Sequence, residues 1–292
     1  MRIAYILQGE DKAIGLSDKE NHTLLEFLQD KGLDIHAEAW SDPHVQWEMY
    51  DLVLLKSPWD YVHKIDRFHE WLNTIDAVGT RLLNPYAIIH WNSDKHYLQN
   101  VVDSGLNITP SAFVEKSDPI DLLTYFDRWQ TDNLVIKPCI GGTSRHTHSI
   151  VRGQHEKFIL LLKKLTLVEA FIIQPFIPEV VKDGEWSFLF FNGRFSHSLI
   201  KKPKHGDFRV QQQFGGSIQL QTPSDKLLLQ ADEYVKKFAN GCLYARVDGV
   251  VIQGEFHLME LELIEPVLYL TLFPEGYQNY YQALTRLIEL PL

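Results

Sequence analysis

The sequence predicts an α/β protein that is built from several lobes. Strand-like and helix-like segments alternate over about the first ninety residues, which favours a small parallel α/β lobe at the N-terminus. Farther along, pairs of strand-like segments are joined by short turns, as in antiparallel hairpins. The chain has 292 residues, and a size of about 100–200 residues per domain then predicts two or three lobes.

Composition narrows the class of protein. The chain is 45% hydrophobic and 23% charged, which is ordinary for a globular protein. Its net charge of −10 argues against a nucleic-acid partner, because binding to a phosphate backbone needs a basic surface. No apolar run approaches the roughly 20 residues that cross a bilayer, and Cys139 and Cys242 do not suggest a disulfide framework. We therefore expect a cytoplasmic location by default. The composition does not exclude a small phosphorylated ligand, and it leaves a monomer and a homodimer both open.

The first lobe, residues 1–92, is predicted to hold three strands and two helices. The runs RIAYIL, LDIHAEAW and DLVLLKS are typical of buried strands. Ser17 and Glu20 have the spacing of a capping box, which predicts a helix that ends at Gly32, and residues 66–76 predict another. The segment SPWDY follows the third strand, where the ligand-binding loops of such lobes usually lie.

The central lobe, residues 93–183, is predicted to begin with a helix from Ser93 to Ser104. Asp118 precedes a proline and predicts the start of the next helix. The strand-like segments are SAFV, NLVIKP, HSIVRG and VEAFIIQP, and the last of them should break near Pro175 because proline cannot donate to a sheet. The segment EKFILLLKKL predicts a helix, and IGGTSRHT predicts a loop.

The third lobe, residues 184–292, is predicted to be mainly antiparallel. Asn192-Gly193 suits a type I′ turn between two strand-like arms. Thr222-Pro223 predicts the start of a long helix that ends near Gly241. The chain then ends with a hairpin of strands 245–252 and 256–264 and a helix near 275–289.

The last hairpin carries an unusual group of acidic side chains. Residues alternate between the faces of a strand, so Glu260 and Glu262 point the same way. If residues 253–255 form a three-residue loop, Asp248 lies opposite Glu260, and Arg246 lies opposite Glu262; a two-residue turn would move Asp248 to the other face. Three such close carboxylates need protons or cations, and their hard oxygen atoms suit Mg²⁺. The alternative is a solvated face with Arg246 as a salt-bridge partner.

Several basic and glycine-rich segments suggest an anion site. Lys137 ends a strand, and the loop 141–144 (Gly-Gly-Thr-Ser) begins four residues later, where its backbone N–H groups can approach a phosphate. Lys201, Lys202 and Arg209 follow the Asn-Gly hairpin. Each feature alone is more often an ordinary turn or a solvated side chain. Their order along the chain is what makes them informative.

Taken in order, these motifs resemble those of the ATP-grasp superfamily, in particular its glutathione-synthetase-like and ribosomal-modification-ligase-like branch. The resemblance covers nearly the whole chain. It rests on NSDKHYL with Lys95, VIKP with Lys137, the loop 141–144, QPFIPE at 174–179, Arg209 before FGG, Arg246-Val-Asp248, and Glu260-x-Glu262-x-x-x-Pro266. It implies an ATP-grasp architecture, in which an N-terminal parallel α/β lobe precedes two lobes that clasp ATP.

The resemblance also implies roles for individual residues. Asp248, Glu260 and Glu262 would hold one or two Mg²⁺ ions, or Mn²⁺ in their place. Arg209 and Arg246 would stabilise the transferring phosphoryl group. The family usually has Asn where this chain has Glu262, so that carboxylate either recruits a second metal or pairs with Arg246. The implied ATP contacts are Lys95, Lys137, Gly141, Gly142, Thr143, Ser144, Gln174, Phe176, Ile177, Glu179 (for the ribose) and Lys201.

The function that the resemblance implies is an ATP-dependent carboxylate–amine ligase working through an acyl-phosphate on a small amino-acid-like substrate. Some relatives, such as cycloserine-forming synthetases, close a ring within one molecule, so an intramolecular cyclo-ligase is a variant. Trp59, Asp60 and Tyr61 are candidate substrate contacts, with Asp60 for an amino group; the alternative is packing and turn capping. Competing functions are a nucleotide-binding protein without turnover that engages a partner, and a Ca²⁺-binding structural protein.

Overall fold

The computed structural model describes residues 1–9, 18–142, 145–204, 210 and 215–289. The strands are β1 Arg2–Leu7, β2 Asp34–Ala39, β3 Leu52–Ser57, β4 Arg81–Leu83, β5 Ala112–Val114, β6 Asn133–Pro138, β7 His148–Val151, β8 Phe171–Pro175, β9 Glu185–Phe191, β10 Arg194–Lys202, β11 Ser217–Leu220, β12 Tyr244–Ile252 and β13 Glu255–Glu262. The α-helices are α1 Lys19–Asp30, α2 Ile65–Ala77, α3 Tyr86–Asn92, α4 Tyr97–Asp103, α5 Leu122–Trp129, α6 Glu156–Thr166, α7 Pro178–Lys182, α8 Asp225–Phe238 and α9 Glu275–Glu289. In these ranges no helix is both long enough and apolar enough to cross a membrane.

The N-terminal sheet is parallel, with the strand order β2-β1-β3-β4. Strands β1, β2 and β3 confirm the three strands predicted for this lobe. The short strand β4 was not predicted. Helix α1 begins after Asp18, whose side chain accepts the N–H of Asn21. The predicted cap at Ser17 is therefore wrong, and Ser17 itself lies outside the described residues. A 3₁₀ helix over Trp59–His63 follows β3 and brings the SPWDY segment to the end of this sheet.

The central sheet is antiparallel and has the order β5-β8-β6-β7. The helix predicted from Ser93 to Ser104 is confirmed over Tyr97–Asp103 as α4, but its predicted start is wrong. The N–H of Lys95 donates to the carbonyl of Cys139 at 2.9 Å instead of continuing a helix. The predicted helix start at Asp118 is also wrong. Asp121 caps α5 by accepting the N–H of Leu123.

The largest sheet is antiparallel and has the order β11-β10-β9-β12-β13. Asn192 and Gly193 both have positive φ, as the predicted type I′ turn between β9 and β10 requires. Core residues of this sheet and of the N-terminal sheet pack in one cluster with α9, including Tyr5, Leu189 and Leu284. The shared core fixes one sheet relative to the other. The predicted lobe borders at 92/93 and 183/184 remain predictions.

The β12–β13 hairpin differs from its predicted form in one respect. Its turn has two residues, Gln253 and Gly254, both with positive φ, so Ile252 pairs with Glu255. The three-residue loop was therefore wrong. A β-bulge beyond Gly249 adds one residue to β13, and the pairs Asp248–Glu260 and Arg246–Glu262 form as predicted. The bulge compensates for the short turn.

Candidate functional site

A cavity of about 680 Å³ lies between the three sheets. Its walls come from the 3₁₀ helix after β3, from the central sheet and the loop after β6, and from β10, β12 and β13 of the largest sheet. Most of the predicted site residues that the structure describes line it. They are Trp59, Tyr61, Lys95, Lys137, Gly141, Gly142, Gln174, Phe176, Ile177, Lys201, Arg246, Asp248, Glu260 and Glu262.

Asp248 is the most enclosed carboxylate of this cavity, with 3% of its surface exposed. Arg246 donates to it through Nε at 3.1 Å and through Nη2 at 2.9 Å. Lys201 Nζ donates at 3.1 Å, and the hydroxyl of Ser187 at 2.5 Å. Burial alone would raise the pKa of Asp248, but Arg246 and Lys201 outweigh it and hold that pKa at about 2. Asp248 is therefore an anion across the physiological range.

Glu262 shares Arg246 with Asp248, because the guanidinium also donates to the Glu262 carboxylate. The sequence left two roles open for Glu262: recruiting a second metal or pairing with Arg246. The structure contains the pairing with Arg246. Burial, together with the nearby charges of Asp248 and Glu260, nevertheless raises the pKa of Glu262 to about 7. The local negative charge thus exceeds what Arg246 compensates.

Lys95 connects the acidic hairpin to the glycine-rich loop. Its Nζ lies 2.9 Å from Glu260 Oε1 and donates to the carbonyl of Gly141 at 2.8 Å. Burial raises the pKa of Glu260, but Lys95 and Lys137 reverse this and bring the pKa below its ordinary value. Burial also lowers the pKa of Lys137, which lies on the facing strand β6. Two lysines and the start of the loop therefore face Glu260 across the cavity.

The segment predicted to hold adenine leads from β8 into α7. The side chain of Gln174 donates to the hydroxyls of Thr109 and Ser111, at 3.0 and 2.9 Å, so it is engaged within the protein. Phe176 and Ile177 line the cavity. Glu179 belongs to the first turn of α7 and is not among the lining residues, so its contact with the ribose remains a prediction.

Of the three residues predicted to contact the substrate, Trp59 and Tyr61 line the cavity and Asp60 does not. The Asp60 carboxylate accepts the N–H of Gly9 at 3.1 Å and the indole N–H of Trp40 at 2.8 Å, and Lys64 lies 3.1 Å away. These contacts favour the structural alternative for Asp60. Three other predicted site residues, Thr143, Ser144 and Arg209, lie outside the described residues.

The sequence analysis missed three carboxylates in the cavity: Asp18, Glu185 and Glu265. Glu185 begins β9 two residues before Ser187, which pairs with Asp248, so the register of β9 on β12 could have revealed it. Glu185 contacts Lys201, and burial raises its pKa. Glu265 lies beyond the end of β13, where alternation gives no signal. Burial and the charge of Glu262 raise its pKa to about 8.

The donor set fits a divalent cation bound with a nucleotide. Burial, together with the charges of Asp248 and Glu260, raises the pKa of Glu262, and a hard cation bound among these three carboxylates would relieve their repulsion. Lys95, Lys137 and Lys201 offer positive charge to an anion on the same walls. Gly141 and Gly142 leave the backbone of the loop accessible beside them.

Comparison with known proteins agrees with this geometry. A family described as the N-terminal domain of D-cycloserine synthetase DcsG matches residues 4–84. The cycloserine biosynthesis protein DcsG of Streptomyces lavendulae is 27% identical over 286 residues, which cover 91% of this chain and 93% of that protein. A crystal structure of D-cycloserine synthetase DcsG superposes with a TM-score of 0.86 at 25% identity and covers 98% of this chain and 100% of its own.

Two more distant structures show the same fold. One is the D-alanine–D-alanine ligase from Bacillus anthracis complexed with ATP, with a TM-score of 0.74, 16% identity and coverage of 98% and 96%. The other is the ATP-grasp ligase PsnB complexed with a precursor variant, Mg and ADP, with a TM-score of 0.67, 15% identity and coverage of 98% of each chain. From fold, cavity and relatives together, the chain has the ATP-grasp architecture, and its similarity to these proteins supports an ATP-dependent ligase that forms carbon–nitrogen bonds.

Proposed function

We propose that this protein uses Mg²⁺ and ATP to activate the carboxylate of a small amino-acid-like substrate as an acyl-phosphate, and then joins it to an amine. The observation that carries the proposal is the register of β12 and β13, which sets Asp248 opposite Glu260 on the wall of the cavity. The names of its relatives, which are cycloserine-forming enzymes, support ring closure within one molecule as the particular reaction.

The proposed chemistry explains why both basic and acidic side chains line the cavity. A carboxylate that attacks the γ-phosphate of ATP brings one anion up to another, so catalysis depends on positioning and charge compensation. Lys95, Lys137 and Arg246 supply positive charge on the cavity walls. Mg²⁺, held by Asp248, Glu260 and Glu262, would supply further charge compensation at the phosphates when it is bound.

The reaction has two steps. A carboxylate oxygen of the substrate attacks the γ-phosphorus, and the bond from that phosphorus to the bridging oxygen breaks to release ADP. The amine nitrogen then attacks the acyl carbon, the bond to the phosphate oxygen breaks to release phosphate, and the nitrogen loses a proton. Arg246, with Arg209, stabilises the charge that develops on the phosphoryl group. A nitrogen from the same molecule closes a ring.

The remaining assignments concern the nucleotide. We assign Lys201 and the Gly141-Gly142 segment to the phosphates, and the hinge of Gln174, Phe176 and Ile177 to the adenine. Because the Gln174 side chain is engaged by Thr109 and Ser111, we expect the hinge to contact adenine through its backbone. Glu179 is assigned to the ribose hydroxyls.

The proposal is tested by calorimetric titration of ATP, with and without Mg²⁺, into the wild type and a Glu260→Gln/Glu262→Gln variant. We expect Mg²⁺-dependent binding that the double variant weakens at least about tenfold, which corresponds to about 1.4 kcal/mol. The control is Glu255→Gln on the same strand, because Glu255 pairs with Lys226 at the distant turn. That variant should bind ATP like the wild type.

Two results would contradict the proposal. If the double variant keeps wild-type affinity for Mg²⁺ and ATP, the acidic hairpin is not the metal–nucleotide site. If ATP binds normally but a screen of amino acids and their derivatives gives no ADP release, the ligase chemistry on amino-acid-like substrates is wrong.

A further inference from the structure

The carboxylates of the cavity differ in how they are neutralised. Glu260 lies beside Lys95, and Glu185 and Asp248 lie beside Lys201. Glu262 contacts Arg246, and Asp18 caps α1 by accepting the N–H of Asn21. Within the described ranges, Glu265 has no basic side chain within 4.0 Å of its carboxylate. A partly buried carboxylate without a counter-charge favours the binding of a cation.

Glu265 lies where the three sheets meet. Its carbonyl accepts the indole N–H of Trp59 at 3.1 Å, which connects it to the N-terminal lobe. A Cβ atom built on Gly142 would lie 3.9 Å from Glu265 Oε1 and 3.8 Å from Val62 Cγ1. The glycine-rich loop, the 3₁₀ helix after β3 and the segment after β13 therefore surround this one carboxylate.

Two aromatic side chains complete the wall around it. Tyr61 and Trp59 both line the cavity, and the Tyr61 side chain lies next to the Glu265 carboxylate. The Tyr61 side chain is hydrogen-bonded to this carboxylate. Aromatic side chains on a cavity wall favour organic cations, and a carboxylate forms its strongest hydrogen bonds with charged donors. An alkylammonium group fits both requirements, whereas a small hydrated metal ion gains little from the rings.

We propose that Glu265, with Trp59 and Tyr61, binds an ammonium group of the substrate. The inference rests on the proposed function and adds to it a requirement on the substrate class. The substrate carries an ammonium group in addition to the carboxylate that reacts, and it is oriented with the ammonium at Glu265 and the carboxylate toward Lys95 and Arg246. Asp60, which the sequence suggested for this task, is engaged in the N-terminal lobe.

The test uses a matched pair of ligands that differ only in the amino group: D-cycloserine and 1,2-oxazolidin-3-one. Each is titrated by calorimetry into wild type, Glu265→Gln and Glu265→Asp, in the presence of Mg²⁺ and a non-hydrolysable ATP analogue. We expect the wild type to prefer D-cycloserine at least about tenfold, since a hydrogen-bonded charge contributes that much. Glu265→Gln should lose this preference, and Glu265→Asp should keep part of it.

A second measurement covers a substrate of different shape. ADP release is compared for amino-acid and hydroxy-acid pairs, alanine with lactate and serine with glycerate, in both enantiomers. We expect release only with ammonium-bearing members, with a KM that rises in Glu265→Gln more than kcat falls. If the wild type prefers the ammonium-bearing ligand in neither measurement, the subsite is overturned, and it is equally overturned if Glu265→Gln keeps the preference.

Failure of this inference can be distinguished from failure of the proposed function. If the affinity of Glu265→Gln for the Mg²⁺–nucleotide complex falls with that of the double variant above, Glu265 belongs to the metal–nucleotide centre, and the ammonium subsite is wrong. If the wild type binds no nucleotide, the proposed function fails first. Wild-type nucleotide affinity in Glu265→Gln, together with lost ammonium preference, is the result that supports the inference.

Discussion

Several charged side chains in this protein are buried, and burial requires that each has a partner of opposite charge. Arg246 shows this, because it donates to both Asp248 and Glu262. The sequence suggested either a metal site or a salt-bridged face for these residues, and the structure has the salt bridges on the wall of the cavity. The two interpretations are therefore not exclusive. A guanidinium that donates to two carboxylates fixes their positions on the cavity wall.

His197 gives a prediction for the dependence of stability on pH. It is 4% exposed, its Nε2 donates to the carbonyl of Leu268 at 2.9 Å, and burial lowers its pKa to about 4. The unfolded chain, with a histidine pKa of about 6.5, binds more protons than the folded chain between these two values. The free energy of unfolding should therefore fall as the pH falls from about 6.5 to 4, by up to about 3 kcal/mol from this residue.

The measurement is urea-induced unfolding at several pH values in the wild type and in His197→Gln. Glutamine can donate to Leu268 but cannot titrate, so the variant should lose much of the decrease between pH 6.5 and 4. His44→Gln is the control, because His44 is exposed and its replacement should leave the slope unchanged. Equal slopes in wild type and His197→Gln would show that another group carries the effect.

At the scale of elements, most strands could be predicted from the sequence, and the deviations have local causes. Asn192-Gly193 is a strong turn signal, whereas Gln253-Gly254 places a glutamine at φ 53°, which composition does not suggest. The bulge beyond Gly249 is invisible to alternation, yet it restores the pairing of Asp248 with Glu260. Helix α3 and the position of Glu265 also depend on contacts that are distant in sequence.

The bulge gives a prediction for Gly249. A Cβ atom at this position would lie 2.4 Å from the carbonyl oxygen of His257 and 2.5 Å from Phe256 Cζ. Gly249→Ala should therefore lower the free energy of unfolding by about 1–3 kcal/mol. Since Gly249 follows Asp248 directly, we also expect weaker binding of ATP with Mg²⁺.

The control for this variant is Gly153→Ala. Gly153 has no heavy atom within 4 Å of a Cβ position and lies outside the cavity. Thermal unfolding and ATP calorimetry on both variants separate a general effect of alanine from a clash at the bulge. If Gly249→Ala is as stable as Gly153→Ala, strands β12 and β13 move apart at the bulge with little loss of free energy. That result would contradict the prediction for Gly249.

At the scale of the whole molecule, the cavity depends on how the N-terminal lobe is held against the third lobe. Glu20 accepts the N–H groups of Leu268 and Leu270, at 2.8 and 2.9 Å. Lys56 lies 3.2 Å from the same carboxylate and is 1% exposed. The sequence predicted Glu20 as part of a helix cap, because spacing cannot show a partner about 250 residues away. This buried contact lies next to Pro266 and Glu265, so it also supports the cavity wall.

The last prediction concerns this contact. Lys56→Met removes one partner of a buried ion pair and leaves the Glu20 carboxylate without a counter-charge, which should cost about 3–5 kcal/mol of the free energy of unfolding. Lys226→Met is the matched control, because Lys226 forms an exposed pair with Glu255, and its replacement should change stability much less than Lys56→Met does. Urea-induced unfolding measures both. Adding Glu20→Gln to Lys56→Met should recover part of the loss, because a neutral amide oxygen still accepts an N–H bond and leaves no buried charge. If Lys56→Met is as mild as Lys226→Met, the two lobes are held by their shared apolar core alone, and the ion pair is dispensable.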